Sequence, residues 1–143
     1  MIDAEAYLYE LFTRDIEDAG FDEDVTVAAD IDVQVMDELP YWTFSVIGDG
    51  QQSNGDDLWS YTLTVSVFAE GMDATKNSAR AMYDLVHAWD TDPGATQLTT
   101  GGDTIWVSSL DDIDLPSRLA SAEIAGRNIT QYTGSFGLAL RNN

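Results

Sequence analysis

The segment Ile129-Thr-Gln-Tyr-Thr-Gly-Ser-Phe-Gly-Leu-Ala-Leu-Arg141 decides the fold class of this chain. Its large side chains recur at every second position, and Phe136, Leu138 and Leu140 fall on one face, opposite a face of mostly small or polar residues. Alternation with a period of two over a dozen residues is typical of a β-strand that buries one face. The sequence therefore predicts a long final strand, with other elements packed against its apolar face.

Two amphipathic helices are predicted upstream of this strand. The first covers Asp3–Ala19, with Asp3 as N-cap and Gly20 as the stop. The second follows Asp73 as its N-cap and ends before Asp92-Pro-Gly94. Its apolar stripe, at spacings of three and four residues, consists of Ala79, Met82, Leu85, Val86 and Trp89.

Shorter alternating or β-branched stretches predict the remaining strands. These lie within Val25–Val35, with an interruption at Ala28–Asp30, and at Tyr41–Ile47, Leu58–Phe68 and Thr104–Leu110. We interpret Tyr41–Phe68 as a hairpin, Thr96–Gly102 as a flexible connection and Asp111–Asn128 as mostly loop. Because each helix has one apolar stripe, both should lie on one face of the sheet. The predicted fold is a single α+β domain over residues 1–143, a two-layer sandwich with a mostly antiparallel sheet.

The charge of the chain is extreme. It has 26 acidic against six basic residues, a net charge of −20, and Lys76 as its single lysine. Such a charge opposes broad contact with nucleic-acid phosphates, which depends on Lys and Arg. An acidic protein of an ordinary cytoplasm and a protein of a high-salt, halophilic cytoplasm both fit this composition. The scarcity of lysine favours the second interpretation.

Several classes of protein are excluded or disfavoured by composition. No apolar run approaches the 18 residues of a membrane span, and the absence of cysteine excludes disulfides and thiolate chemistry. The first residues lack the basic and apolar regions of a signal peptide, so we expect the chain to stay in the cytoplasm unless a particle carries it out.

The sequence offers little catalytic or ligand-binding chemistry. His87, the single histidine, has no accompanying nucleophile motif and is interpreted as structural or superficial. The acidic clusters Asp22–Asp24, Asp56–Asp57 and Asp111–Asp114 lack the spacing of a calcium loop, and a solvated surface or a subunit contact suits them better than a metal. No glycine-rich phosphate loop is present. We expect no enzyme activity, no cofactor and no metal site.

The segment from Asp111 to Arg141, placed after a helix–sheet module, resembles the end of the tail terminator proteins of long-tailed phages and archaeal tailed viruses. Those proteins often close with a Pro-Xaa-Arg loop, followed by a long last strand that carries a Tyr and ends in Arg. The matching residues here are Pro116, Arg118, Tyr132 and Arg141. The α+β design predicted for the whole chain agrees with this resemblance.

The resemblance implies a structural virion protein that forms a homohexameric ring at the head-proximal end of the tail tube. Such a ring stops tube polymerisation and joins the tail to the neck. Its partners would be the tail tube protein and a neck or head-completion protein, while the genome DNA passes through without specific binding. The protein would be assembled in the host cytoplasm and reside in the neck region of the virion, without membrane contact.

Two segments are candidates for the subunit interface. The first is the polar loop Gly48–Asp57, because a ten-residue loop between two strands is usually functional or mobile. The second is Leu115–Arg127, which offers two of the six cations to acidic neighbours. The predicted interface residues are Gly48, Asp49, Gly50, Asn54, Asp57, Arg118, Arg127 and Tyr132.

Other functions remain open at the level of the sequence. Another neck or head–tail connector ring would share the same features. A small cytosolic binding module of a halophilic organism, with a ligand beside the hairpin, belongs to a different class. An enzyme with paired carboxylates is a third alternative, but the 26 acids point to no particular pair.

Overall fold

The structure, a computed structural model, describes residues 2–29, 38–51, 58–124 and 126–143. Side chains of residues 49–51 and 124 are outside that description. The elements are, in chain order, α1 Ala4–Ala19, β1 Thr26–Ala28, β2 Tyr41–Gln51, β3 Leu58–Glu70, α2 Met72–Thr91, a short 3₁₀ helix Pro93–Thr96, β4 Leu98–Thr100, β5 Asp103–Ile124 and β6 Arg127–Asn142.

The alternating C-terminal segment forms β6, which lies inside one six-stranded sheet of order β1-β2-β3-β6-β5-β4. Only the β1–β2 pair is parallel, and the other neighbours are antiparallel. The predicted α+β sandwich with a mostly antiparallel sheet is therefore confirmed. On β6, Phe136, Leu138 and Leu140 are buried on the helix-facing side, as their alternation predicts.

Helix α1 begins and ends where the sequence predicts. The Asp3 carboxylate accepts a hydrogen bond from the Ala6 amide at 3.0 Å, which satisfies one of the free N–H groups of the first turn. Gly20 ends the helix in the left-handed conformation, at φ 62°. The buried face of α1 consists of Ala4, Tyr7, Leu8, Leu11 and Phe12.

Helix α2 buries the predicted stripe, but its start differs from the prediction. Ala79, Met82, Val86 and Trp89 are buried, and Leu85 is half-buried. Gly71 is the N-cap, and Asp73 lies in the first turn. The Thr75 hydroxyl donates to the Gly71 carbonyl at 2.7 Å. The expectation that Asp73 caps the helix is wrong, because the chain turns two residues earlier, at Gly71, through a backbone of φ 86° that favours glycine.

The core lies between the sheet and the two helices. The Phe12 ring of α1 is 5.3 Å from Phe44 of β2 and 5.0 Å from Trp89 of α2, measured between ring centroids. The indole N–H of Trp89 donates to the Asp15 carboxylate at 2.8 Å, and that of Trp42 donates to the Ser78 hydroxyl at 2.8 Å. Because of these bonds, the two indole rings are buried without leaving their N–H groups unsatisfied.

The interpretation of Asp111–Asn128 as mostly loop is wrong. Strand β5 runs from Asp103 to Ile124, and β6 begins at Arg127. Register shifts interrupt the β5–β6 pairing at four places between Val107 and Ala120. Bulges of this kind break the alternation on which strand prediction depends, and residues 111–115 are all exposed, so no apolar face marks the strand.

Two other connections also differ from their predicted form. The connection Thr96–Gly102 is ordered by the 3₁₀ helix and β4, because the buried Thr96 hydroxyl accepts the Val107 amide at 2.8 Å. The predicted loop Gly48–Asp57 starts too early, since β2 continues to Gln51. Residues 52–57, and the predicted strand continuation at 31–35, lie outside the described residues.

Candidate assembly interface

Strand β5 presents a long free edge. Its partner β4 covers only Asp103–Ile105, through Leu98–Thr100. Beyond Ile105, no strand in the described ranges pairs with the side of β5 that faces away from β6. The Val107 amide donates to the Thr96 hydroxyl at 2.8 Å, so the edge available to another chain begins after Val107.

Three large apolar side chains project from this edge strand into solvent. Ile113, Leu115 and Leu119 are 55%, 63% and 66% exposed. A long edge strand with exposed aliphatic side chains is an association site in its own right. The sequence indicated the segment Leu115–Arg127 through its two arginines. It did not single out the aliphatic residues, because a Leu in an exposed strand and a Leu in a core look alike when the alternation is broken.

The distal half of β5 bends over β6 at Pro116. The register passes from Asp114 opposite Ser135 to Ser117 opposite Thr133. Between these pairs Pro116 lies over Gly134, where an added Cβ would come within 3.0 Å of the Pro116 ring. Gly134 is therefore required by close packing, and Pro116 is tolerated because it is on an edge strand.

A groove of about 430 Å³ separates this part of β5 from α2. Lys76, Arg80 and Asp84 line it from the helix, and Leu115, Pro116 and Tyr132 line it from the strands. Arg118 lies nearby, with a guanidinium nitrogen 3.4 Å from the Met72 sulfur. We call the side chains of Lys76, Arg80, Leu115 and Arg118 the basic patch. As far as the structure describes the chain, its three cations make no ion pair.

The predicted interface residues are not gathered in one place. Arg118 and Tyr132 are opposite each other in the β5–β6 register, beside the basic patch. Arg127 instead pairs within the chain, with a nitrogen 3.0 Å from the Glu70 carboxylate. Gly48 lies at a bulge of β2. The remaining members are Asp49 and Gly50 in β2, and Asn54 and Asp57, which fall outside the described residues.

A second groove, of about 600 Å³, runs between α1 and α2. Its apolar floor includes Phe21, Leu85 and Trp89. The carboxylates on its walls are Asp15, Asp18, Asp84 and Asp92, accompanied by one cation, Arg14. Arg14 is held inside the chain by Asp15 at 3.0 Å and by the Ala95 carbonyl at 2.6 Å. We call this the acidic groove.

On the helix-free face of the sheet, the centre of the β3–β6 pair is polar. Across β3 and β6, hydroxyl groups pair side by side, Thr64 with Ser135 at 3.2 Å and Ser66 with Thr133 at 3.0 Å. Ile47 of β2 is 66% exposed. Because Ile47 lies on a different strand from the β5 edge, it is a matched reference for the apolar residues of that edge.

His87 takes part in a cluster that ties α2 to β5. Its Nε2 lies 2.6 Å from one oxygen of the Asp112 carboxylate, and the Tyr83 hydroxyl donates to the other oxygen at 2.7 Å. The Tyr83 and His87 rings lie 4.3 Å apart. His87 is partly exposed, and its contacts hold the helix against the strand. These contacts suit the structural interpretation of His87.

The Asp112 cluster predicts a pH-dependent contribution to stability. The hydrogen bond from Tyr83, followed by the contact with His87, lowers the pKa of Asp112 below its usual range. A lowered folded-state pKa adds stability above the unfolded pKa of about 4, and that stability is lost as pH falls through the folded value. Thermal midpoints should therefore be higher in the wild type than in Asp112→Asn at pH 7, and the difference should shrink on acidification.

The control for this experiment is Asp114→Asn, an exposed neighbour on the same strand. At every pH, the thermal midpoint of Asp114→Asn should lie closer to the wild-type midpoint than the midpoint of Asp112→Asn does. A difference between wild type and Asp112→Asn that stays constant from pH 7 to about pH 2 would contradict the proposed role of the carboxylate.

Comparisons with known proteins do not assign this chain to a family. No protein-family model matches the sequence, and no curated protein matches it either. One solved structure, whose designation names no function, aligns over 96% of both chains with 11% sequence identity and a TM-score of 0.42. A likeness of that size carries no argument about function.

The described residues also bear on metal binding and on membranes. In this part of the chain, no group of three or more His, Asp or Glu side chains converges in a way that could hold a metal ion. No described helix is both long and apolar enough to cross a membrane.

Proposed function

We propose that this protein is a structural assembly protein of a viral tail, a tail terminator that forms a homohexameric ring at the head-proximal end of the tail tube. The observation that carries the proposal is the free β5 edge with exposed Ile113, Leu115 and Leu119. The unpaired backbone groups of this edge can accept a strand of another chain, and burial of its exposed aliphatic side chains would stabilise such a contact. A closed ring of identical subunits supplies such a partner to every copy.

The residues that carry the family resemblance support the same assignment. Pro116 shapes the bend of the free edge, and Arg118 is opposite Tyr132 beside it. Arg141 lies towards the other end of the hairpin, opposite Trp106. Three of the four resemblance residues therefore adjoin the proposed contact surface.

The charge of the chain fits the role of a conduit for DNA. A net charge of −20 lets a genome pass without adhesion, because phosphate binding requires Lys and Arg. In this proposal the ring contacts the tail tube protein on one side and a neck or head-completion protein on the other. Its function is structural, in the neck of the virion, after assembly in the host cytoplasm.

The first test is the mass of the purified protein across a salt series. We expect hexamers at high salt, measured by light scattering, with a central channel visible by electron microscopy. Leu115→Ser with Leu119→Ser should weaken association by about 100-fold or more, because burying each Leu stabilises a contact by roughly 1.5–3 kcal/mol. Circular dichroism should show that the variant remains folded.

The matched control is Ile47→Ser, which removes an equally exposed aliphatic side chain from another strand. This control should assemble like the wild type. A protein that is monomeric at every salt and protein concentration would contradict the ring. Tail tube protein polymerised with and without the ring then separates a terminator from another neck ring, since only a terminator should shorten the tubes.

A further inference from the structure

We propose that the basic patch of one copy sits in the acidic groove of the next copy around the ring. This contact rests on the proposed ring assembly and names the two surfaces that would form it. The occupant of the acidic groove is thus a second copy of this chain, presenting Lys76, Arg80 and Arg118 around Leu115.

The acidic groove has the chemistry to receive this patch. Its floor is apolar, with Leu85 and Trp89, and can cover an aliphatic side chain. Its walls carry four carboxylates, and its own Arg14 is already engaged by Asp15 and the Ala95 carbonyl. An incoming Arg can bind a carboxylate through two parallel hydrogen bonds, which gives the contact a defined orientation.

The distribution of cations makes the basic patch the natural counterpart. The chain has six Lys and Arg residues, and three of them are in the patch. Of the others, Arg14 and Arg127 form ion pairs within the chain, and Arg141 lies 3.4 Å from the Ser108 hydroxyl. Two copies repel each other over most of their surfaces, so an approach that brings the patch to the groove is electrostatically favoured.

The two surfaces are suitably placed for a repeating contact. Lys76 and Arg80 lie one turn apart on the side of α2 that borders β5, whereas Ala81, Leu85 and Ala88 border the acidic groove on the side towards α1. The two grooves adjoin at Asp84, which lines both, but the patch and the acidic groove lie on different sides of α2. A contact between the patch of one copy and the groove of the next is therefore heterologous. Heterologous contacts close into rings when the rotation between subunits closes.

Charge reversal tests the contact at a salt concentration where the wild type assembles. The patch variant is Lys76→Glu with Arg80→Glu, and the groove variant is Asp18→Lys with Asp92→Lys. Each variant alone should associate at least about tenfold more weakly, because like charges then face each other. An equimolar mixture should recover rings, since each altered surface meets an oppositely charged partner. Light scattering measures assembly, and circular dichroism verifies that each variant is folded.

The control is Arg141→Glu, which changes the charge away from both surfaces and should assemble normally. Rings that persist in both charge-reversed variants would overturn the proposed contact while leaving the ring intact. Folded variants that fail to assemble even when mixed would also overturn it. A wild type that is monomeric in all conditions would instead contradict the ring itself.

Discussion

Replacing Val86 with Asp is expected to unfold the protein. Val86 is fully buried on the stripe of α2 that packs against the sheet. A carboxyl group at this position would lose its hydration without gaining a partner, at a cost of about 4 kcal/mol or more. Since small domains are stable by only about 5–15 kcal/mol, a cost of this size takes most of the stability at the lower end of that range, and the domain should unfold at or just above room temperature. Circular dichroism and the thermal midpoint measure this outcome.

The matched control is Ala88→Asp, which adds the same charge two residues away at an exposed position. Its effect on the free energy of unfolding should stay within about 0.5 kcal/mol. A soluble, native-like Val86→Asp protein would show that the stripe of α2 does not face the core, and the two-layer arrangement would then be wrong.

Salt is expected to raise the thermal midpoint by about 10 °C between roughly 0.1 M and 2 M KCl. The acidic side chains that give the net charge of −20 repel one another within a domain of 143 residues. Few of the acids in the described residues form ion pairs with cations. The distance over which charges act on each other falls from about 10 Å at 0.1 M salt to about 3 Å at 1 M, which removes most of this repulsion. The same screening removes the long-range repulsion between subunits, whereas ion pairs buried in a subunit contact are screened much less, so association should strengthen with salt.

A variant with fewer acids separates charge screening from other effects of salt. Asp22→Asn, Glu23→Gln and Asp24→Asn neutralise three adjacent exposed acids. This variant should have a higher midpoint than the wild type at low salt and a smaller increase with added KCl. A wild-type midpoint that stays flat or falls with salt would contradict the hypothesis of a high-salt cytoplasm.

The sequence determined the elements whose signals are local. The alternation of β6, the spacing of the α2 stripe and the Asp3 and Gly20 boundaries of α1 were all predicted correctly. Each depends on a few neighbouring residues and on a periodic burial pattern, which the chain displays directly. The two-layer sandwich could be predicted from these elements, because the apolar stripes of two helices and the apolar face of one sheet can be buried against each other in few ways.

The tertiary structure alone decided where the candidate interface lies. The distal half of β5 has no buried face of its own and became a strand because β6 pairs with it, so its sequence carries no alternation. The basic patch joins Lys76 and Arg80 of α2 to Arg118 of β5, which lies 42 and 38 residues further along the sequence. Charged and exposed residues form a binding surface only when packing brings them together from distant parts of the chain. No local sequence pattern encodes that proximity.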